Sequence, residues 1–162
     1  IEDLLKRKDV PIYVNEEEVA FTKSLGARTD SLFGTFPEGN TKKVGSGDKV
    51  KVGNVELTFI HTPGHTPGSQ CFLAQNSLIS GDTLFVRGCG RCDLPGGNPK
   101  QLYESLTQKL FKLPDDTLLY PGHFYAEEPA SKMKDEKTKN PYLICENFNT
   151  FLTMVGLKQE GL

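Results

Sequence analysis

The sequence predicts a single α/β domain with a mixed β-sheet, and three features of the chain indicate this class. Short apolar or β-branched runs, which are typical of strands, alternate with segments that begin with helix-capping residues. Two pairs of strand-like runs are separated only by tight turns, which favours antiparallel neighbours in the sheet. The chain of 162 residues has the length of one ordinary domain.

The N-terminal part is predicted to contain helices and one buried strand. Residues 1–8 are typical of the end of a helix, and residues 10–15 (VPIYVN) of a short buried strand. A helix is predicted over residues 15–25, because Asn15 is a suitable N-cap and three glutamates occupy the first turn. Residues 26–46 lack periodicity and are expected to form a long loop.

The middle of the chain is predicted to form two β-hairpins. Apolar and polar side chains alternate over residues 48–59, on both sides of the tight-turn sequence Gly53-Asn54. The second hairpin is predicted over residues 69–75 and 77–80, and a glycine-rich loop follows it.

The C-terminal part contains the clearest helix pattern. This helix is predicted over residues 98–111, with Asn98 as its N-cap. Its apolar face is a row of leucines four residues apart: Leu102, Leu106 and Leu110. Residues 117–120 indicate a strand, and residues 126–140 are polar and are expected to form a solvated loop. A last helix is predicted around residues 143–155.

The composition is typical of a water-soluble globular chain. Nineteen basic residues against twenty-one acidic residues give a net charge of −2, which provides no electrostatic basis for binding nucleic acid or an anionic membrane. No apolar run approaches the roughly 20 residues that span a bilayer. The four cysteines lack the density of a disulfide framework, so a cytoplasmic location is expected.

Cys89 and Cys92 form a single CxxC sequence that is surrounded by glycines. A closed zinc site would need a second pair of ligands, and a redox pair would normally open a helix, where the thiolate is stabilised. A loop without redox function is therefore the favoured interpretation.

The sequence HTPGHTPGSQ at residues 61–70 predicts a turn that holds imidazoles in fixed directions. Pro63 and Pro67 remove backbone donors and disfavour helical geometry in the residues before them. His61 lies at the end of a predicted strand, and His65 lies within the turn.

The chain has three histidines in total, and a third predicted strand leads into His123. Asp82 likewise follows a strand and a glycine. Loops at strand ends are where α/β sheets usually carry chemistry. Two imidazoles and a carboxylate suit a divalent metal such as zinc, iron or manganese. Each residue taken alone is also typical of a surface turn, but the combination predicts a metal site.

Four ordered motifs carry a resemblance to a known family: HTPGHTPGS, SGDTLF, GRCDLPGGNPKQLYESL and LPDDTLLYPGHFY. Together they strongly resemble the metallo-β-lactamase superfamily, and most closely its glyoxalase II-like and persulfide dioxygenase-like branches. The resemblance implies the αββα sandwich of that family, in which two mixed sheets come from two pseudo-symmetric halves.

The resemblance also implies a role for each candidate residue. His65, Asp82 and His123 match metal ligands of the family, and Asp82 is the residue expected to be catalytic. One or two Zn or Fe ions are the implied cofactor. His61 matches a position that is commonly histidine without binding metal, so a structural role is expected. Two substrate contacts complete the set of candidates: Arg91 and Tyr125.

Arg91 is expected to clamp a substrate carboxylate, such as that of glutathione. A role in stabilising its own loop is an equally open interpretation. Tyr125 matches a position near bound glutathione in glyoxalase II-like enzymes.

The chain departs from the family in one large respect, because the first metal motif, HxHxDH, is absent. In the family this motif precedes a helix and a short strand that resemble IEDLLKRKDVPIYVN. The expectation is therefore that residues 1–162 form one incomplete domain of a longer protein, with the missing motif upstream of residue 1.

These features leave three functions open. The first is a metal-dependent hydrolase that cleaves a glutathione-type thioester, and the second is a mononuclear iron persulfide dioxygenase. The third applies to the chain as it stands, which would fold without catalysis, with self-association covering its exposed sheet. The expected partner of the intact protein is a small thiol-derived molecule, with no nucleic acid and no membrane.

Overall fold

A computed structural model describes residues 10–25 and 39–157. The helix predicted over residues 1–8, and most of the loop predicted over residues 26–46, lie outside the described residues.

The centre of the molecule is a mixed sheet of six strands, in the order β10-β9-β6-β5-β4-β3. All neighbouring pairs are antiparallel except β6 and β9, which are parallel. This sheet confirms the predicted fold class and both hairpins. Its strands are β3 (Lys49–Val52), β4 (Val55–His61), β5 (Gln70–Ala74), β6 (Ser77–Gly81), β9 (Leu118–Pro121) and β10 (Ser131–Lys132).

Two small sheets flank the central one. β1 (Ile12–Asn15) pairs in parallel with β2 (Thr41–Val44), and β7 (Leu84–Phe85) pairs with β8 (Gly88–Cys89) in a short antiparallel ribbon. The loop prediction for residues 26–46 was wrong at β2. This strand has the sequence TKKV, and only Val44 is buried, so it carries too little apolar periodicity to be recognised.

Within the described residues, four α-helices accompany the sheets: α1 (Glu16–Leu25), α2 (Pro99–Glu104), α3 (Met133–Lys139) and α4 (Phe148–Met154). The first matches the prediction, and Asn15 Oδ1 accepts a hydrogen bond from Glu17 N as expected of an N-cap. Asn98 caps α2 in the same way, through Gln101 N.

The helix predicted over residues 98–111 is regular only in its first part. After α2 it widens into a π-helical segment, Ser105–Lys109, and ends as a 3-10 turn, Leu110–Lys112. The three leucines of its apolar face are nevertheless all fully buried: Leu102, Leu106 and Leu110. A turn of an α-helix contains fewer than four residues, so a row of residues four apart gradually leaves one face. A π-helical turn contains more residues, and the π-helical segment therefore keeps the three leucines on one face.

Two predictions for the C-terminal part were wrong. The solvated loop predicted over residues 126–140 contains β10 and α3, because Met133, Glu136 and Asn140 are fully buried and two of them are polar. The helix predicted over residues 143–155 begins only at Phe148, since Asn147 caps it.

The core lies on one face of the central sheet, beneath α2, α3 and α4. It is built from fully buried residues of the strands and the helices: Cys71, Leu78, Leu119, Leu102, Leu106, Met133 and Phe151. On the opposite face Phe59 contacts Tyr13 of β1, while Ile79 and Tyr120 are 44% and 43% exposed. No helix in residues 10–25 or 39–157 is long and apolar enough to cross a membrane.

Candidate metal centre

The histidine turn connects β4 to β5 and lies against the start of α2. Thr62 N donates to Ser69 O at 2.8 Å and closes the turn, while Asn98 N donates to Gly64 O at 2.8 Å. Gly64 has a φ of +135°, and a Cβ there would lie 2.3 Å from Leu102 N. Only glycine fits this close contact without a backbone shift, so the glycine fixes the turn against the helix.

A glutamate from α1 braces the same turn from the other side. Glu18 Oε2 accepts hydrogen bonds from Thr66 Oγ1 at 2.6 Å and from Gly68 N at 2.9 Å. The orientation of His65 therefore depends on two helices as well as on the sequence of the turn.

The structure indicates which nitrogen of His65 is available for a ligand. Its Nδ1 lies 2.7 Å from the carbonyl oxygen of Arg91. Because a carbonyl can only accept, Nδ1 must carry the proton, and in neutral imidazole Nε2 then has a free lone pair. A histidine oriented in this way by a backbone carbonyl is typical of metal ligands.

Asp82 lies between the two candidate histidines, His65 and His123. Its Oδ2 is 3.6 Å from His65 Nε2, and its Oδ1 is 3.4 Å from His123 Nε2. Two ligands about 2.1 Å from one tetrahedral metal are separated by about 3.4 Å. Each histidine therefore lies at the distance expected if it shared a metal with one oxygen of Asp82, and the two histidines face different oxygens.

His123 comes from the loop after β9, which lies beside β6 in the sheet. Gly122 N donates to Gly81 O at 2.8 Å, and a Cβ on Gly122 would lie 2.7 Å from Asp82 Oδ1. The ring of His123 stacks on Tyr125 at a centroid distance of 5.2 Å, and Phe85 meets both rings edge-on. These contacts hold the imidazole close to Asp82.

His61 is separate from this group. Its Nε2 lies 2.7 Å from Pro67 O, within the histidine turn itself, and its own carbonyl accepts from Lys109 Nζ at 2.6 Å. The ring of His61 thus hydrogen-bonds across the turn at the end of β4.

The donor set fits a divalent metal in chemistry but not in number. The centre offers two imidazole nitrogens and one carboxylate, which are zinc and iron ligands. Among the described residues, no group of three or more His, Cys, Asp and Glu side chains forms a complete metal cluster. Each histidine faces a different oxygen of Asp82, so the three residues offer two pairs of ligands. The remaining coordination positions of a metal would have to be filled by other donors.

A cavity of about 510 Å³ opens next to the centre. His65, Asp82 and His123 form one end of it. The rest of the wall comes mainly from the β7–β8 ribbon and from aromatic residues: Phe85, Arg87, Cys89, Arg91, Tyr125 and Tyr142. Both predicted substrate contacts, Arg91 and Tyr125, therefore lie in the wall.

The guanidinium of Arg91 is already engaged by a neighbour. Its Nε and Nη2 donate to the two carboxylate oxygens of Asp93, at 2.9 and 2.8 Å. This pair raises the pKa of Arg91 and lowers the pKa of Asp93. Tyr125 is 73% exposed, so most of its surface is open to solvent.

Sequence reasoning missed a buried bridge between the two loops that carry His65 and Asp82. Thr62 Oγ1 and Thr83 Oγ1 are 2.9 Å apart, and Cys71 Sγ lies 3.4 Å from Thr62 Oγ1. The signal in the sequence is that each threonine lies within three residues of a candidate ligand.

It also missed a buried carboxylate under the cavity wall. Glu136 has no exposed surface, and it accepts hydrogen bonds from Arg87 N, the Arg87 guanidinium and Asn140 Nδ2. No pattern marks such a residue, because Glu136 lies in a segment as charged as a solvated loop.

The cysteines of the CxxC sequence are free thiols. Burial raises the pKa of Cys89 to about 12 and that of Cys92 to about 11. A reactive thiol needs a lowered pKa, so this local environment does not favour a redox function.

The mixed α/β fold, with these candidate ligands at strand ends, is typical of proteins that bind metal at the edge of a sheet. A family model described as "Metallo-beta-lactamase superfamily" matches residues 1–123, and the chain belongs to this superfamily. The family predicted from the sequence motifs is thereby confirmed.

Curated relatives of this chain carry out more than one kind of chemistry. The chain is 41% identical over 109 residues to persulfide dioxygenase ETHE1 of Mus musculus, covering 65% of this chain and 43% of the relative. It is 36% identical over 119 residues to hydroxyacylglutathione hydrolase of Dictyostelium discoideum, covering 68% and 44%. A probable polyketide biosynthesis zinc-dependent hydrolase, BaeB of Bacillus velezensis, is 33% identical over 117 residues, covering 72% and 52%.

Solved structures support the fold. ETHE1 from Myxococcus xanthus matches with a TM-score of 0.76 and 34% identity, over 96% of this chain and 61% of that chain. TTHA1623 in a di-iron-bound form matches with a TM-score of 0.69 and 30% identity, over 88% and 70%. Family members thus use zinc or iron, as expected. The chain spans about half the length of the curated relatives described above.

Proposed function

We propose that the intact protein is a metal-dependent hydrolase that cleaves a glutathione-type thioester. The observation that supports this proposal is the position of Asp82 between His65 and His123. Each histidine faces a different carboxylate oxygen, at 3.6 and 3.4 Å. A carboxylate shared in this way suits a centre with two metal ions, in which His123 is a ligand and not an accessory residue.

The metal, when bound, would supply a Lewis acid and a water of lowered pKa. The remaining tasks belong to the residues of the chain. The Arg91 carbonyl holds the proton on His65 Nδ1 and so leaves Nε2 free as a ligand, and Asp82 would supply one carboxylate oxygen beside each imidazole. The aromatic rings of Phe85 and Tyr125 pack against His123, and Tyr125 lines the cavity, where it would contact the substrate.

A second candidate function is persulfide oxidation at a single iron. It is favoured by the 41% identity to a persulfide dioxygenase and by the structural match to ETHE1. In that case His65 and Asp82 would bind the iron, and His123 would act beside it. Dioxygen chemistry requires a redox-active metal with open positions, whereas hydrolysis proceeds with zinc.

His123→Ala in the full-length protein distinguishes the two functions. For a two-metal hydrolase we expect the metal content to fall by about one ion per chain and thioester cleavage to be lost. Metal analysis, oxygen uptake on glutathione persulfide and thioester cleavage are measured together. One iron per chain and oxygen uptake, with no thioester cleavage by the unmutated enzyme, would contradict hydrolysis.

We also propose that the 162-residue chain alone is inactive, because its described residues supply three donors and no complete cluster. Thioester turnover by this chain at the rate of a longer form of the protein would contradict this proposal. Asp82→Asn serves as the control for contaminating activity.

A further inference from the structure

The cavity wall contains an arginine in an unusual backbone conformation. Arg87 lies at the turn between β7 and β8 with a φ of +60°, in the left-handed region that normally favours glycine. A strained residue of this kind persists only where surrounding contacts hold it, and such residues cluster at functional sites.

The contacts that hold Arg87 come from a buried carboxylate. Glu136 Oε2 accepts from Arg87 N at 2.9 Å, and Glu136 Oε1 accepts from the Arg87 guanidinium. Asn140 donates to Glu136 Oε2 at 2.9 Å and to the carbonyls of Phe85 and Gly88 at 3.1 Å. The backbone and the side chain of Arg87 are thus fixed by the same buried carboxylate of α3, which Asn140 holds in turn.

The guanidinium of Arg87 keeps its two-pronged donor edge. Glu136 engages Nη1 alone, and Nε and Nη2 donate to no oxygen of the described residues. Its side chain is 35% exposed and lines the cavity that contains Asp82. The corresponding edge of Arg91 is occupied by Asp93, and that side chain is 67% exposed.

We propose that Arg87, held by Glu136, recognises a carboxylate of the substrate in this cavity. The inference rests on the proposed function and names its substrate class, which is a thioester or persulfide that carries a carboxylate away from the reacting sulfur. An arginine fork binds a carboxylate through two parallel hydrogen bonds, and a fixed fork loses little freedom on binding. Arg87 is therefore a specificity-determining residue, and Arg91 serves its own loop.

The test measures binding and needs no turnover. The probes are S-methylglutathione and its dimethyl ester, which lacks both carboxylates, titrated calorimetrically into the 162-residue chain. We expect the acid form to bind about tenfold or more tightly than the ester, as for a hydrogen bond to a charged group. Arg87→Gln should abolish this preference by weakening the acid form alone, while Arg91→Gln should retain it.

Two further variants keep the test decisive. Arg87→Gln leaves Glu136 buried and unpaired, so the double variant R87Q/E136Q removes that charge if the single variant unfolds. Lys112→Gln, at an exposed site outside the cavity, controls for the loss of one positive charge. Arg87→Lys keeps the charge without the fork and should lose most of the preference.

Several outcomes would overturn the inference. These are equal binding of both probes by the unmutated chain, binding of neither, a preference that survives R87Q/E136Q, or a preference abolished by Arg91→Gln. The proposed function is tested separately by thioester cleavage in the full-length protein. An acid preference that depends on Arg87 without any thioester cleavage would support the inference while rejecting the hydrolase.

Discussion

At the scale of single residues, the two histidines of the turn have opposite surroundings. The Nε2 of His65 faces Asp82, whereas the Nε2 of His61 lies 2.7 Å from Pro67 O. In the full-length protein we expect His65→Ala to remove most of the bound metal and His61→Ala to leave most of it. Metal content per chain is measured by plasma emission spectrometry, with melting temperatures to confirm that both variants fold.

His61→Ala is the matched control, because both histidines belong to the same HTPGHTPGSQ sequence and each substitution removes one imidazole. Full metal occupancy in His65→Ala would mean that the ligands lie elsewhere. Equal metal loss in both variants would indicate that the turn, and not a particular nitrogen, determines binding.

Cys71 gives a prediction about pH. It is fully buried, and burial raises the pKa of its thiol from 9.0 to about 11. The folded chain therefore keeps this proton at pH values where the unfolded chain loses it. The stabilising contribution is complete below about pH 9 and is lost as the pH rises from about 9 to 11.

We expect the free energy of unfolding to fall over that range, with Cys71 contributing about 2 kcal/mol of the decline. Denaturant titrations at pH 8, 9.5 and 11 measure it. Cys71→Ala should reduce the pH dependence without abolishing it, because Cys89 and Cys92 also have raised pKa values; the variant should be less stable at every pH. An unchanged slope in Cys71→Ala would show that other groups cause the decline.

At the scale of secondary-structure elements, the hydroxyl bridge between Thr62 and Thr83 joins the loops after β4 and β6. Both residues are at most 1% exposed. Thr62→Val or Thr83→Val alone leaves the other hydroxyl buried with one partner fewer, which costs about 1–3 kcal/mol. The double variant T62V/T83V removes both hydroxyls, so its loss should be smaller than the sum of the single losses.

Urea unfolding of the unmutated chain, the two single variants and the double variant measures this cycle. Thr107→Val is the control for the loss of a threonine hydroxyl elsewhere in the chain. The hydroxyl of Thr107 donates to the carbonyl of Tyr103 within its own helical segment. Strictly additive losses at positions 62 and 83 would show that the two hydroxyls do not interact.

Elements with apolar periodicity could be predicted from the sequence, and those whose buried residues are polar could not. The β3–β4 hairpin and the row of leucines that begins in α2 both present one apolar face. By contrast Glu136 of α3 and Asn140, directly after it, are buried polar residues that hydrogen-bond to distant partners, Arg87 and Phe85 respectively. Long-range pairing of this kind leaves no local pattern, and so the segment resembled a solvated loop.

In the candidate site, too, local patterns could be predicted and long-range contacts could not. Strand ends next to glycine indicated His65, Asp82 and His123, and the structure brings the three together. The hydrogen bond from His65 to the Arg91 carbonyl and the bracing of the turn by Glu18 join residues that are 26 and 48 or more positions apart. Spacing within a motif cannot reveal contacts at such separations.

At the scale of the whole molecule, one face of the central sheet is covered by helices and the other is only partly covered. Ile79 and Tyr120 are adjacent across β6 and β9, and they are 44% and 43% exposed. Phe72 pairs with Ile79 on the neighbouring strand and is half-buried. A contiguous apolar patch of this kind favours association in water.

We therefore expect the 162-residue chain to self-associate as its concentration rises, with these residues at the contact. Ile79→Thr combined with Tyr120→Thr should weaken association by about tenfold or more, since each buried large side chain contributes about 1.5–3 kcal/mol. Threonine keeps strand propensity, so the sheet itself should persist. Sedimentation velocity over a hundredfold range of concentration measures the effect. Ile144→Thr is the matched control, because Ile144 is 42% exposed and lies outside the sheet. A chain that stays monomeric throughout, or an equal effect of Ile144→Thr, would show that this face does not mediate association.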